Sequence, residues 1–133
     1  MSTHAYIKLV PASKKKTITL EDVKELFHTY QAMMKKTGEQ LGWGFENASF
    51  PYQIVEADGN EQWFYLKGTT DRYHSIIIGV GQEEETPFIQ VTLPNSATHG
   101  DKGKANEFCK FLAKQLEGEL HLFNGRVMYY YKR

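Results

Sequence analysis

The sequence predicts an α+β fold with two layers, a curved antiparallel sheet that carries two helices on one face. Two segments repeat apolar residues at three- and four-residue spacing, which is typical of amphipathic helices. Between them lie four short segments of strand-forming residues separated by polar turns, which indicates an antiparallel meander. Because the helices flank this meander, the order β-α-β-β-β-β-α-β-β favours α+β over α/β.

The composition is that of one domain spanning residues 1–133. Sixteen basic and sixteen acidic residues give a formal net charge of zero, which argues against a nucleic-acid partner because phosphate binding needs a basic surface. Cys109 is the single cysteine, so no intrachain disulfide is expected. No apolar run approaches the roughly 20 residues of a membrane helix, and no signal-peptide pattern is present. We therefore expect a cytoplasmic protein with no membrane partner.

The first strand and the first helix are predicted in the N-terminal third of the chain. His4–Val10 alternates polar and apolar residues and is stopped by Pro11. Thr19 suits the N-cap of the helix, with acidic residues in the first turn at the positive end of the helix dipole. Gly42 is the expected C-terminal stop. The apolar stripe consists of Val23, Leu26, Phe27, Tyr30, Met33 or Met34, and Leu41.

The central meander is predicted from strand segments that alternate with turn signals. Asp58-Gly59-Asn60 is a turn, and Glu83-Glu84-Glu85 opens a connector that ends at Pro87. The last segment alternates most cleanly, as a sheet with one covered face requires. The four predicted strands are Ser49–Ala57, Gln62–Gly68, Tyr73–Gly81 and Phe88–Leu93.

A second helix and a hairpin complete the chain. Pro94–Lys104 is predicted as a polar loop, followed by a helix with the apolar stripe Ala105, Phe108, Cys109, Leu112 and Leu116 and a stop at Gly118. Asn124-Gly125 favours a two-residue type I′ hairpin turn. That turn would pair Leu122 with Val127 and Leu120 with Tyr129.

Two resemblances add to this prediction. Over residues 4–117 the order strand, helix, four strands, helix resembles the TATA-binding-protein-like topology. The stretches Ala5–Pro11 and Gly118–Val127 are similar to a small family of proteins from Bacillus-like Gram-positive bacteria. The second resemblance implies a shared fold and brings no activity or functional residue. DNA binding is not carried over from the first, because fold does not determine function and the charge is balanced.

The segment Thr98–Ala105 is the candidate for anion binding. Gly103 and Lys104 fit the phosphate-loop pattern G-x-x-x-x-G-K-[ST], whereas Thr98 and Ala105 occupy its Gly and Ser/Thr positions. The missing hydroxyl removes the usual magnesium contact, so a nucleotide-hydrolysing site is rejected. Two interpretations stay open for the segment, an ordinary loop with Asp101 as the helix N-cap and a general anion site. The candidate anion ligands are His99, Lys102 and Lys104.

No catalytic residue, metal ligand or cofactor is predicted. The histidines lack ligand spacing, and Cys109 lies on a helix stripe, where a buried and unreactive thiol is expected. Three adjacent glutamates, Glu83–Glu85, are typical of a solvated turn. The five histidines are His4, His28, His74, His99 and His121.

Aromatic residues on predicted strands give the candidate interaction surface, Trp63, Tyr65, Tyr73 and Tyr130. Two helices cover one sheet face, so aromatics on the other face would be partly exposed and available to a protein partner or a second copy. The preferred hypothesis is a non-catalytic binding or protein-interaction module. The alternative is a small enzyme or small-molecule binder with an anion-binding loop at residues 96–104.

Overall fold

The architecture is one antiparallel sheet with two helices, and the computed structural model describes residues 3–41, 50–57 and 62–131. The elements are β1 (Thr3–Lys8), α1 (Leu20–Leu41), β2 (Tyr52–Glu56), β3 (Trp63–Gly68), β4 (Ser75–Glu83), β5 (Thr86–Leu93), α2 (His99–Leu116), β6 (Glu119–His121) and β7 (Val127–Tyr129). Their spatial order in the sheet is β2-β3-β4-β5-β1-β6-β7. The predicted α+β class is confirmed, and β2 to β5 form the predicted meander.

Helix α1 begins as its sequence predicts. The Thr19 hydroxyl accepts a hydrogen bond from the main-chain N–H of Asp22 (3.1 Å), and the Asp22 carboxylate accepts one from the N–H of Thr19 (3.0 Å). Its buried stripe contains Val23 and Phe27. The helix runs to Leu41, and the predicted stop at Gly42 and turn at 58–60 lie outside the described residues.

Helix α2 begins earlier than predicted. Residues 99–104 are helical and not part of a loop, and the N-cap is Thr98 instead of Asp101. Thr98 and Asp101 form a capping box, in which each side chain bonds the other's main-chain N–H. Gly100 lies inside this helix. The position requires a glycine because a Cβ there would come within 2.7 Å of the Arg72 carbonyl oxygen. This glycine therefore permits close packing and does not mark a loop.

The C-terminal hairpin has a three-residue loop instead of the predicted two-residue type I′ turn. Gly125 has a φ of +87°, whereas Asn124 has a negative φ. The N–H of Gly125 donates to the carbonyl of Leu122 (3.0 Å), and the N–H of Leu122 donates to the carbonyl of Arg126 (2.8 Å). This pattern is a turn followed by a left-handed glycine, which adds one residue to the loop.

The longer loop shifts the register of the hairpin by one residue. Leu120 pairs with Met128, so the predicted pairs of Leu120 with Tyr129 and of Leu122 with Val127 are wrong. Successive residues of a strand point to opposite faces, so one step of register exchanges the two faces. Met128 packs against the core, while Val127 and Tyr129 are exposed.

Both helices pack on the same face of the sheet. The Phe27 ring of α1 lies 5.4 Å from the Phe108 ring of α2 and 6.3 Å from the Phe64 ring of β3. No described helix covers the opposite face, which we call the open face. No helix in these ranges is long and apolar enough to cross a membrane. The open face is formed by His4, Tyr6, Lys8, Gln53, Val55, Trp63, Tyr65, Lys67, Ile77, Gly79, Gly81, Phe88, Gln90, Thr92, Glu119, His121, Val127 and Tyr129.

Candidate functional site

The three predicted anion ligands do not converge on one point. His99 and Lys102 are exposed on the first turns of α2. Lys102 and Lys104 are two residues apart in a helix, and at about 100° per residue they point to nearly opposite sides. Lys104 is ion-paired with Glu107 at 2.9 Å. The structure therefore does not bring His99, Lys102 and Lys104 together around a common ligand.

The N-terminus of α2 is occupied by the chain's own carboxylate. Asp101 is fully buried and accepts hydrogen bonds from the Tyr52 hydroxyl (2.6 Å) and from the main-chain N–H groups of His74 (3.0 Å), Ser75 (3.3 Å) and Thr98 (3.0 Å). Burial, and then the neighbouring Asp101 carboxylate, raise the pKa of Tyr52 well above its usual value, so this phenol stays protonated and donates.

Asp101 replaces the external anion that the sequence suggested. A helix N-terminus attracts negative charge, and a buried carboxylate held there satisfies that preference from within. Its four donors come from β2, from the segment before β4, from β4 and from the N-cap residue of α2. We interpret Asp101 as a structural connection between the sheet and α2.

A broad concavity of about 520 Å³ follows the exposed side of α2. Its walls include Tyr73, Gly103, Lys104, Glu107 and Lys110. His99 and Lys102 are not among its lining residues. The concavity thus contains one of the three predicted anion ligands, and the charge of that lysine is balanced by its pairing with Glu107.

The predicted aromatic surface is divided between the two faces of the sheet. Trp63, 37% exposed, and Tyr65 lie on the open face. Tyr73 precedes β4 and packs on the helix side, where its ring centroid is 5.5 Å from that of Tyr52. Tyr130 follows β7 and packs against the core. The structure therefore retains Trp63 and Tyr65 as surface candidates and removes Tyr73 and Tyr130 from the same surface.

The open face contains a compact pocket over Gly79. Its volume is about 190 Å³. Trp63 and Ile77 form apolar walls, and Gln90 and Thr92 form a polar wall. Gly79 has no side chain to fill this space, and a Cβ at this position would lie 3.2 Å from the Gln62 carbonyl oxygen, a tight contact. A glycine inside a strand is a sequence signal for a close approach or a site of this kind, although Gly79 was not among the predicted site residues.

A hydrogen-bond network orders the polar wall of this pocket. Thr92 Oγ1 lies 2.8 Å from His4 Nδ1, and Gln90 Nε2 lies 3.0 Å from the same ring nitrogen. Gln90 Nε2 also donates to Thr92 Oγ1 at 3.2 Å. The three side chains come from β1 and β5, which are paired strands far apart in sequence. No local motif in the sequence predicts this cluster, because only the register between β1 and β5 brings the three side chains together.

Two further reactive side chains of the described residues, Cys109 and His121, do not line the pocket over Gly79. Within the described residues, no three His, Cys, Asp or Glu side chains are placed to hold a metal ion. Cys109 is buried as predicted, and burial raises the pKa of its thiol to about 12, so the nucleophilic thiolate is absent at neutral pH. On the open face, His121 Nε2 lies 2.7 Å from Glu119 Oε1, and Tyr131 donates to the other oxygen of that carboxylate.

Comparison with known proteins gives a family and a structural neighbour. Residues 3–132 match the model of a domain of unknown function, DUF1885. A crystal structure of a protein of unknown function from Bacillus stearothermophilus shares 53% sequence identity, covers 87% of this chain and 91% of that chain, and has a TM-score of 0.61. No curated protein matches. The resemblance to proteins of Bacillus-like bacteria is thereby confirmed, and no specific activity is indicated.

Proposed function

Because the chain belongs to the DUF1885 family, a domain of unknown function, we propose a role from its own surface features. We propose a non-catalytic protein-interaction module that binds a protein partner through the open face. The observation that carries the proposal is the pocket over Gly79, about 190 Å³ in volume, in a face that no described helix covers.

The size of the pocket favours a protein partner over a metabolite. Sites for whole small molecules usually enclose about 300–1,000 Å³. A pocket of about 190 Å³ is below that range and suits a single side chain. Protein interfaces concentrate their binding energy in such pockets, which receive one anchoring residue of the partner.

The surroundings of the pocket have the composition of an interface. Trp63, which lines the pocket, and Val55 on β2 are exposed apolar residues, and Tyr65 lies between them on the same face. Tryptophan and tyrosine are enriched at interface centres, where they contribute large contact areas with little loss of side-chain freedom. The pocket lies on a hydrogen-bonded sheet, so the site is already ordered before a partner binds.

Selection of peptides from a random phage-displayed library tests the proposal. Peptides that bind the protein are expected to lose about tenfold or more in affinity for Trp63→Ala, because truncation of an aromatic anchor typically costs 1–2 kcal/mol or more. Met33→Ala is the matched control, since Met33 is also exposed and lies on α1, on the helix side. Selected peptides that bind Trp63→Ala as tightly as the wild type, and lose affinity for Met33→Ala, would refute the open face as the binding surface.

A second candidate function rests on the concavity along α2. Its volume, about 520 Å³, is within the range of small-molecule sites, and Lys104 and Lys110 line it. A small-molecule or anion-binding role there predicts that inorganic phosphate or a nucleoside monophosphate raises the melting temperature, and that Lys104→Met removes the rise. The interaction-module proposal predicts no rise, because Asp101 already occupies the helix N-terminus and Lys104 is paired with Glu107.

Two broader assignments accompany the proposal. A cytoplasmic location stays a prediction from the composition, which includes a single cysteine. Kinship with the TATA-binding-protein-like topology also stays a proposal, supported by the order β1-α1-β2-β3-β4-β5-α2.

A further inference from the structure

We propose that the pocket over Gly79 binds a tyrosine side chain of the partner, with an acidic residue near that tyrosine in the partner's sequence. The inference deepens the proposed function and rests on it. It assigns the ring of the tyrosine to the apolar walls, its hydroxyl to Gln90, and the acidic residue to Lys67.

The apolar part of the pocket accepts a flat ring. The Trp63 and Ile77 side chains line it, and Gly79 leaves its floor without a side chain. Aromatic rings associate in offset or edge-to-face arrangements, so the Trp63 side chain provides a favourable surface for a second ring. The volume of about 190 Å³ limits the guest to about one such side chain.

The polar wall of the pocket favours a hydroxyl group on the bound aromatic ring. Gln90 Nε2 lies 3.0 Å from His4 Nδ1 and 3.2 Å from Thr92 Oγ1, and because these two atoms are 2.8 Å apart, the amide nitrogen faces both of them from one side. Among the described residues the Gln90 amide oxygen has no hydrogen-bond partner. A bound ring without a polar group would shield this amide from water and leave it unsatisfied, at a cost in affinity. A phenolic hydroxyl both donates and accepts, so it satisfies Gln90 in either orientation of the amide.

The charge near the pocket favours an acidic neighbour of the tyrosine. Lys67 is exposed on the open face, with its Nζ 4.8 Å from the centre of the Tyr65 ring. It makes no ion pair with any described residue. Lys67 is four residues from Trp63 along β3, or about 13 Å at the usual rise of a strand. An extended partner running along β3 would place a residue four positions from its tyrosine next to Lys67.

Titrations followed by ¹⁵N–¹H correlation NMR test the two parts of the inference separately. The first probe pair is N-acetyl-tyrosinamide and N-acetyl-phenylalaninamide. We expect both to shift the amide signals of Gly79 and Gln90, and the tyrosine probe to bind about two- to tenfold tighter, the value of one hydrogen bond. Equal affinities of the two probes, measured from the Gly79 amide signal, would overturn recognition of the hydroxyl while leaving the open face as the interaction surface. No shift at Gly79 with either probe would overturn the ring assignment itself.

Two variants test whether Gln90 causes the preference for tyrosine over phenylalanine. Gln90→Leu is expected to remove the advantage of the tyrosine probe, since leucine keeps the approximate volume and loses the amide. Gln53→Leu is the matched control, because Gln53 is on the same face, on β2, and does not line the pocket. A tyrosine preference that survives Gln90→Leu would contradict the role of Gln90. The comparison of the two probes on the wild-type protein needs no variant.

The second probe pair tests the acidic neighbour and the protein origin of the ligand. The blocked peptide Tyr-Ser-Gly-Ser-Glu is expected to bind about two- to fivefold tighter than Tyr-Ser-Gly-Ser-Lys at low salt, as for an exposed ion pair. Lys67→Met is expected to remove this difference. The reversed peptides, Glu-Ser-Gly-Ser-Tyr and Lys-Ser-Gly-Ser-Tyr, cover a partner that runs along β3 in the opposite direction. Equal binding of the glutamate and lysine peptides in both directions would overturn the acidic neighbour. Binding of p-cresol as tight as that of the glutamate peptide would assign the pocket to a free phenol and overturn the protein source.

Discussion

Replacing Asp101 by asparagine perturbs the side chain that connects α2 to the sheet. The buried carboxylate accepts from the Tyr52 hydroxyl and from three main-chain N–H groups, at 2.6–3.3 Å. An asparagine keeps one acceptor oxygen and turns its amino group toward the remaining donors, so about half of these interactions are lost. Each hydrogen bond to a charged group contributes about 1.5–3 kcal/mol, so the loss of two should lower the free energy of unfolding of Asp101→Asn by about 3–6 kcal/mol.

The chain provides a matched control for this substitution. Asp22 is the third residue of α1 and bonds the N–H of Thr19 at 3.0 Å, as Asp101 bonds the N–H of Thr98 in α2. Asp22 is partly exposed and also pairs with Lys15. Asp22→Asn should therefore cost only about 0.3–1 kcal/mol, the usual value of a charge at an exposed helix N-terminus.

Urea unfolding followed by circular dichroism measures both variants on the same scale. A typical domain is stable by about 5–15 kcal/mol, so the predicted loss for Asp101→Asn is a large fraction of the total. Tyr52→Phe, which removes one of the four donors, should fall between the two variants at about 1.5–3 kcal/mol. Equal losses for Asp101→Asn and Asp22→Asn would refute the structural role of Asp101 and reopen the α2 N-terminus as a ligand site.

Three further predictions concern packing and ionisation. In urea unfolding, Gly68→Ala should lower the free energy of unfolding by about 3 kcal/mol, because its Cβ would lie 1.9 Å from the Tyr73 carbonyl oxygen. Gly103→Ala, whose Cβ would have nothing within 4 Å, should raise the free energy of unfolding by about 0.5–1 kcal/mol. Cys109 should not react with a thiol reagent at pH 8 until urea unfolds the protein; rapid reaction of the native protein would contradict its burial. Burial raises the pKa of Tyr52 in the native protein, so above pH 10.0 the phenol ionises in the unfolded chain before it does in the native protein. The urea midpoint should therefore fall as the pH rises above 10.0, and a midpoint that rises would contradict the direction of the pKa shift.

The sheet was predictable where local pattern decides the structure. In β5 the alternation of Ile89, Val91 and Leu93 is enough, because burial of one face imposes a period of two. The hairpin after α2 was less predictable, because Asn124-Gly125 is compatible with two loop lengths. The choice between them depends on which register buries Met128 beside Leu120, and that is a tertiary contact.

The start of α2 was hidden by glycines that have a packing role. Thr98 and Asp101 have the spacing of a capping box, which indicates a helix beginning at residue 99. Gly100 and Gly103 favoured a loop, although Gly100 is required by the nearby Arg72 carbonyl. The further hydrogen bonds of Asp101 to β2 and β4 could not be inferred, because their partners are 26–49 residues away in sequence.

The candidate surface was predicted in part. The sequence pattern assigned Trp63 and Tyr65 to a predicted strand, and in the structure both lie on the open face of β3, opposite the buried Phe64. It assigned Tyr73 to a strand as well, whereas β4 begins at Ser75 and Tyr73 packs beside Tyr52. The pocket itself required the pairing of β3, β4, β5 and β1, which the order of segments alone does not specify.

The most direct test of the central claim is the location at which a library-selected peptide binds. Its binding site can be mapped by ¹⁵N chemical-shift changes on the wild-type protein. The open-face account predicts that the largest changes fall on Trp63, Gly79 and Gln90. Largest changes on Gly103 and Lys104, along the concavity of α2, would contradict it.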